Sequence, residues 1–594
     1  MRLRKKRAFF AVLWNMAFVI FWASFTMAAP QKLAPVTKIV FKGDLPFAAK
    51  ELKKILTLKE GQPATEWQIK ESQTRLLRFL SQKGFLNATI DSLKQEHLPD
   101  EKNGLLLVFY VHAGPRFRIR NLKIISDSLS PAQYRRIVRS RPGEFFDQQR
   151  IREDGQNILK YAAEQGFPFA KVDVQPRLLT VKESAVDLGL YIKEGARVFV
   201  KGVVVEGNHY TRPAVVLRAL YFKPGMRYRR SWEEKIQTRL EKLEIFQSVS
   251  PPQLIRLSKD SVLVVVRVQE GNATTFDGLV GYVPAQGTGR VKSQQGYFTG
   301  LLNFSFRNLF GTGRRLKVFW EKADRLSENF LFQYLEPWIW GQPINVGLSF
   351  ARQVKDTLFI AWDFKLSSTL NFNDRFSLFL HFTRHTVLPD SIARATLGMV
   401  RSRTYGIESG LQYDTRDFIL NPQKGIFYKA GYRLGLKQNS GDVPNGQNLS
   451  RNSTINLFSM QFEGYQKIFK RQILAVKWNI QRIKGEALQL SDYFWFGGSQ
   501  SVRGYRERQF SGYLVSWMNL EYRFVTGPDS RVFVFTDLGF YRNAILAPHS
   551  QFLQGMGLGL RFPTPLGVMG VDYGLARGEG FNQGKIHFGL TSRF

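Results

Sequence analysis

The spacing of apolar positions changes character once along this chain. Up to Gly271 two patterns take turns. Short apolar runs, Ile39–Phe41, Ile119–Ile124 and Val203–Val205, then Leu105–Val111, Val186–Ile192 and Val262–Val268, read as strands. Between them apolar residues recur at helical spacing: Ile69, Leu76, Leu77 and Leu80; Ile151, Ile158, Leu159 and Ala162; Ile236, Leu240 and Leu243. Beyond Gly271 helical spacing gives way to alternation broken by Gly, Asn, Asp and Pro. Phe376, Leu378, Leu380 and Phe382 alternate with Ser377, Phe379, His381 and Thr383. Leu474, Val476, Trp478 and Ile480 alternate with Ala475, Lys477, Asn479 and Gln481. Leu520, Tyr522 and Phe524 alternate with Asn519, Glu521 and Arg523.

The first region repeats. Gly61, Gly143 and Gly225 are spaced by 82 residues, as are Gly84-Phe85 and Gly166-Phe167, with Ile245-Phe246 in the corresponding place of the third copy. Each copy reads β-α-α-β-β, at residues 36–115, 116–196 and 197–271. Ser231 with Glu234 predicts a capping box on the third copy's second helix. The glycine after each such helix predicts a left-handed stop.

Residues 272–594 read as an all-β region with one apolar and one polar face on each strand. A soluble sandwich and a membrane barrel both produce that alternation. Two features favour the barrel. Residues 2–7 are basic, 8–25 apolar, and small residues follow to Ala29, so 1–28 reads as a cleaved export signal. The last strand places Ile586, Phe588, Leu590 and Phe594 on one face, and Lys585, His587, Thr591 and Arg593 on the other. A barrel also leaves no open sheet edge in lipid.

Composition narrows the reading. The formal charge of +37 falls to +32 once Arg2, Arg4, Lys5, Lys6 and Arg7 leave with the signal. The basic residues are spread over the whole length without a nucleic-acid motif, which favours acidic membrane surfaces over nucleic acid. The clusters Arg135, Arg136, Arg139, Arg141 and Arg227, Arg229, Arg230 read first as solvated helix faces, with lipid head groups as the alternative. Cysteine is absent, which removes thiol nucleophiles and thiolate metal sites. His381 and His385 share a strand face about 13 Å apart, too far for one metal. Gly584-Lys585 fails a Walker loop because Glu579 and Ile586 flank it. The expectation is no enzyme, no metal and no cofactor.

The repeats resemble the POTRA module of outer-membrane insertases. Further segments resemble the BamA/TamA superfamily of outer-membrane insertases and translocators: Asn308–Gly313, Tyr334–Pro337, Asp414–Asp417 with Asn421-Pro422 and Gly425, Phe496–Gly498 followed by Val502-Arg503-Gly504-Tyr505, Phe535–Gly539, and Gly557–Arg561. The resemblance covers nearly the whole mature chain. It implies a barrel of about sixteen antiparallel strands, with Val502, Arg503, Gly504 and Tyr505 on a loop folded back inside.

Strand parity puts Asp537 with Phe533 and Phe535, opposite Val532 and Val534, hence facing the lumen. A buried Arg needs an anion, and the family likewise sets its loop Arg beside a late-strand Asp, so Arg503 is paired with Asp537. Gly557 and Gly559 are expected to leave room for that loop, with Arg561 closing the same late-strand motif. Phe588, Leu590 and Phe594 resemble the family's C-terminal insertion signal.

Three modules place the chain nearest the TamA branch. BamA usually carries five, and two-partner-secretion transporters two plus a plugging helix. A diffusion porin is the alternative from another class. The resemblance implies unfolded outer-membrane protein clients, autotransporters among them, a TamB-like inner-membrane-anchored partner and a role in phospholipid transport. It also implies contact with outer-membrane lipid and modules in the periplasm.

Overall fold

The computed structural model describes residues 35–98, 104–178, 184–283, 297–322, 324–355, 358–419, 421–441, 450–564 and 567–591. The expected signal at 1–28, Phe594 and the side chain of Leu590 lie outside the described residues. The chain divides into two compact units: residues 1–197 with 228–230, and 198–227 with 231–594.

In the first unit, β1 (Val36–Asp44), helices Ala49–Lys53 and Glu66–Gln82, β2 (Thr89–Leu98) and β3 (Gly104–His112) form one module. In the next, β4 (Arg118–Ser126), helices Pro131–Ile137 and Gln148–Glu164, β5 (Lys171–Leu178) and β6 (Ala185–Lys193) repeat it. The last strand of each is central. β3 runs parallel to β1 and antiparallel to β2, and β6 lies likewise between β4 and β5. That explains the continuous apolar runs at the module ends, since a central strand packed under helices buries most of its length. Leu107 and Phe109 pack with Leu76 and Leu80 in one core, and Leu188 and Leu190 with Ile151 and Ile158 in the other. Leu159, expected inside, is exposed. Its neighbour Ile158 already occupies the inward position of that turn.

Caps recur with the same period. Thr65 and Gln68 form a reciprocal capping box, and the Asp147 carboxylate accepts from the backbone N–H of Gln149 and Arg150. In the third module the corresponding helix spans Arg230–Glu241, with Ser231 and Glu234 in its first turns. Gly84 and Gly166 adopt left-handed φ of 96° and 92°, and Glu244 takes that seat in the third copy at 58°.

The third module begins the second unit. It contains β7 (Phe199–Glu206), helix Pro213–Ala219, β8 (Met226–Arg227), the helix just described, β9 (Phe246–Val249), β10 (Gln253–Arg256) and β11 (Ser261–Glu270). β11 runs parallel to β7 and pairs with both β9 and β10.

An acid ties the turn after the first strand to the end of the central strand in every module. Asp44 accepts from Ala113 N–H at 2.9 Å, and Asp127 from Glu194 N–H at 3.0 Å. Glu270 accepts from the N–H groups of His209, Tyr210 and Thr211 at 3.0, 2.9 and 2.6 Å.

The remainder is a sixteen-stranded antiparallel sheet of barrel type. Its strands are β12 (Thr274–Val283), β13 (Tyr297–Leu309), β14 (Arg314–Lys322), β15 (Glu328–Glu336), β16 (Ile344–Lys355), β17 (Phe359–Asn371), β18 (Phe376–Pro389), β19 (Arg401–Asp414), β20 (Gly425–Ser440), β21 (Asn452–Phe469) and β22 (Gln472–Gly485). A short hairpin follows, β23 (Phe494–Phe496) and β24 (Phe510–Gly512), outside the main sheet. The sheet resumes with β25 (Leu514–Val525), β26 (Arg531–Arg542), β27 (Ser550–Thr564), β28 (Gly567–Ala576) and β29 (Lys585–Thr591), each hydrogen-bonded to its neighbour in sequence.

The two faces differ as a membrane wall requires. Leu378, Leu380, Phe382, Leu474, Tyr522 and Phe524 are exposed on the outside, while His381, Glu408, Glu463, Asn519 and Glu521 are buried inside. The third module holds the near end of the wall. Asn308 donates to Thr211 Oγ1 at 2.8 Å, and Arg212 N–H to the Gly311 carbonyl at 2.8 Å. Lys235 and Arg239 reach Asp374 in the β17–β18 turn at 3.6 and 3.3 Å.

Candidate functional site in the barrel lumen

The β22–β25 connection is the longest between two strands of the main sheet, and the β23–β24 hairpin gives it a rigid neck. Phe496 stacks on Trp517 and packs against Phe510 and Tyr541. Beyond the neck, Gly497, Gly498 and Gly504 hold φ of 114°, 87° and 95°, values open to glycine and strained for other residues. The tip they shape carries Val502-Arg503-Gly504-Tyr505 against the inner wall. Val502 is fully buried among Phe496, Val515, Tyr541 and Leu553.

Arg503 is 3% exposed and Asp537 0%. Arg503 Nε and Nη2 donate to the two Asp537 oxygens at 2.8 Å each, and the Arg503 backbone N–H donates to the same carboxylate at 2.9 Å. This forked geometry suits a guanidinium and not an ammonium. Arg503 also reaches Glu521 at 3.0 Å and Asp572 at 3.5 Å. Its guanidinium lies 3.6 Å from the centre of the Phe535 ring. Arg523 pairs with Glu521 at 2.7 Å, and Arg561 forks onto Asp572, the longer arm 2.8 Å. Three arginines therefore meet three carboxylates, with Arg503 touching all three acids. Burial of these charges is costly unless each is matched, and the balance of signs supplies the match. Asn519 donates to Asp537 at 2.8 Å and to the Ser501 carbonyl at 2.6 Å.

The tip holds each of the last five strands. Arg503 engages β25 through Glu521, β26 through Asp537 and β28 through Asp572. Tyr505 Oη donates to the Gln554 carbonyl of β27 at 3.3 Å, and Gly504 N–H to His587 Nε2 of β29 at 3.3 Å.

The glycines making room for the loop differ from those expected. A Cβ at Gly555 would run into the Arg503 carbonyl, one at Gly574 would lie 2.6 Å from Gly504 N, and one at Gly539 2.9 Å from Val502 Cγ2. A Cβ at Gly557 would instead meet the Tyr573 carbonyl and then the Phe535 ring, and one at Gly559 the Phe533 ring and the Asp572 carboxylate. These two glycines act one layer out, seating the aromatic floor under Arg503 and Arg561. Arg561 faces the lumen cluster through Asp572. Phe588 and Ile586 face outward and are exposed.

Sequence reasoning placed Glu521 and Arg523 on the polar face of β25 without joining them to Arg503. It missed Asp572 and His587 as loop partners. The one signal for Asp572 is its position as the sole charge within Gly567–Ala576.

Together the fold and site define a chain of three repeated modules followed by a β-barrel with a charged loop locked inside. Residues 308–594 match the Omp85 superfamily domain, and residues 34–114, 117–195 and 198–271 match the POTRA family, described as a surface antigen variable number repeat. The chain is an Omp85 superfamily domain carried behind three POTRA repeats. Its barrel stands in the outer membrane with the POTRA domains in the periplasm. The β17–β18 turn is thus periplasmic and the Ser391–Leu397 helix extracellular.

The outer membrane protein assembly factor BamA of Nitratidesulfovibrio vulgaris is 22% identical over 558 residues, 85% of this chain and 65% of the relative. BamA of Neisseria meningitidis serogroup B is 24% identical over 331 residues, 53% of this chain and 40% of the relative. The chain thus spans between 40% and 65% of the length of these relatives. The crystal structure of BamA from Haemophilus ducreyi lacking POTRA domains 1–3 aligns at 14% identity and TM-score 0.48, over 80% of this chain and 98% of that one.

Proposed function

We propose that this protein inserts or translocates other outer-membrane proteins, in the manner of the TamA branch. Its clients are unfolded barrels and autotransporters. Its partner is a TamB-like protein anchored in the inner membrane, and phospholipid transport is a further role of the pair. The observation that carries the reading is the loop tip bound to each of the last five strands. It stiffens that part of the wall from within, up to β29, the strand at the end of the sheet order, which is hydrogen-bonded to β28.

A client strand can then pair with an exposed edge through backbone hydrogen bonds that ignore side-chain identity. The exposed edges of the POTRA sheets, β1 and β2 in the first module, receive extended clients by the same chemistry. The driving force is strand pairing and burial of the client in lipid, so the mechanism requires no enzyme activity and no cofactor.

Quantitative outer-membrane proteomics after deletion of the gene tests this. Loss of a few barrels or autotransporters from viable cells is the expected result. Lethality with global barrel loss would replace the reading with that of a general insertase. An unchanged barrel proteome would overturn insertion altogether.

A further inference from the structure

On the outward face of β16–β19 lies a cleft of about 720 Å³. It sits in the extracellular half of the wall, because β18 ends at Pro389 and β19 starts at Arg401 on either side of the Ser391–Leu397 helix. Its lining is ordered by depth. The register sets Trp362, Thr386 and Arg403 in one row across three strands, then Phe364, Arg384 and Tyr405, then Leu366, Phe382 and Ile407. Arg401 stands above the first row. Cations therefore occupy the outer rows and bare hydrocarbon the inner one, where Leu366, Phe382 and Ile407 are all exposed.

A charge on a lipid-facing strand is unfavourable and needs an opposite charge or the interface. Arg352, nearby on β16, has one in Glu328 at 3.2 Å. Among the described residues no carboxylate comes within ion-pair distance of Arg384, Arg401 or Arg403. Arg403 Nε is buried with no hydrogen-bond partner. The Arg384 guanidinium lies 5.7 Å from the Tyr405 ring centre. Arg384, Arg401 and Arg403 thus gather three guanidinium charges without an acid around one cleft, more positive charge than a single phosphodiester can neutralise, and each guanidinium can grip phosphate oxygens in a fork.

We propose that this cleft binds an outer-leaflet lipid whose head group carries more than one phosphate. Arg384, Arg401 and Arg403 take the phosphates, and an acyl chain lies along Phe382, Leu366 and Ile407. The site lies outside the barrel, so it stands or falls separately from client insertion.

The test is native mass spectrometry of the full-length protein in detergent. The probes are bisphosphorylated lipid A, its dephosphorylated form and phosphatidylglycerol. Wild type should retain the bisphosphorylated lipid about tenfold better than either other lipid, and R384Q/R401Q/R403Q should lose that preference. The Arg→Lys triple variant should keep part of it. Equal retention by the glutamine variant, or no preference of wild type for the phosphorylated form, would overturn the proposal. Equal retention of phosphatidylglycerol would overturn the requirement for more than one phosphate. Heat-modifiable electrophoretic mobility checks that the variant barrel is folded. If the triple variant does not fold, the wild-type comparison of the three lipids and the single variant R401Q decide.

Discussion

Arg503 and Asp537 are joined by three hydrogen bonds, one of which comes from the Arg503 backbone, so the contact fixes the course of the chain as well as a side chain. Removing Asp537 breaks the fork and leaves the buried Arg503 with only its contacts to Glu521 and Asp572. Asp537→Ala should therefore cost roughly 3–5 kcal/mol, read as a lower temperature at which the barrel loses its compact electrophoretic form. The double variant with Arg503→Ala should cost less than the sum of the two. An additive double variant would show that the two residues act separately. Arg503→Lys should fail to restore the wild-type midpoint, because an ammonium cannot make the fork.

Gly555→Ala should unseat the loop tip, since a Cβ there meets the Arg503 carbonyl. The expected readout is faster backbone hydrogen exchange over residues 497–509 with the barrel strands unchanged. Gly589→Ala, where a Cβ meets nothing within 4 Å, is the matched control. Equal exchange in the two variants would refute the close approach.

Glu270 links pH to the third module. Partial burial pushes its pKa up, but hydrogen bonds from Thr211, Tyr210 and His209 outweigh that and hold it below the usual glutamate value. A depressed folded pKa means that this contribution is complete above the unfolded-state value, about 4.3, and fades as pH falls through the lower folded one. Glu270→Gln should flatten this acid limb of the third module's exchange protection. A limb of unchanged slope would assign it to other carboxylates.

Asp374 sits between Lys235 and Arg239, and those cations hold its carboxyl low against the upward push of burial. Asp374→Asn should loosen the helix Arg230–Glu241 by up to about 1 kcal/mol for each partly exposed pair. Hydrogen exchange of that helix should rise, and high salt should mimic the variant. Insensitivity to both would mean that contacts such as Asn308–Thr211 and Arg212–Gly311 hold the module without Asp374.

Periodic features were readable because they depend on local geometry. The 82-residue repeat, the apolar strand that ends each module and the inward face of Asp537 all follow from spacing and parity. The loop's resting place depends on which residues of distant strands face it at one depth, and parity carries no information about depth. Gly555 and Gly557 look alike in the sequence, yet one lies against the Arg503 carbonyl and the other against the Tyr573 carbonyl and the Phe535 ring. Asp572 stayed hidden because Gly570 and Gly574 flank its strand without apolar contrast.

All the acids that Arg503 grips follow it in the chain, and His587, which receives the Gly504 N–H, lies 83 residues downstream. The tip therefore gains its full set of charged partners only where β25, β26 and β28 stand side by side, so its seat reports that these strands are in register.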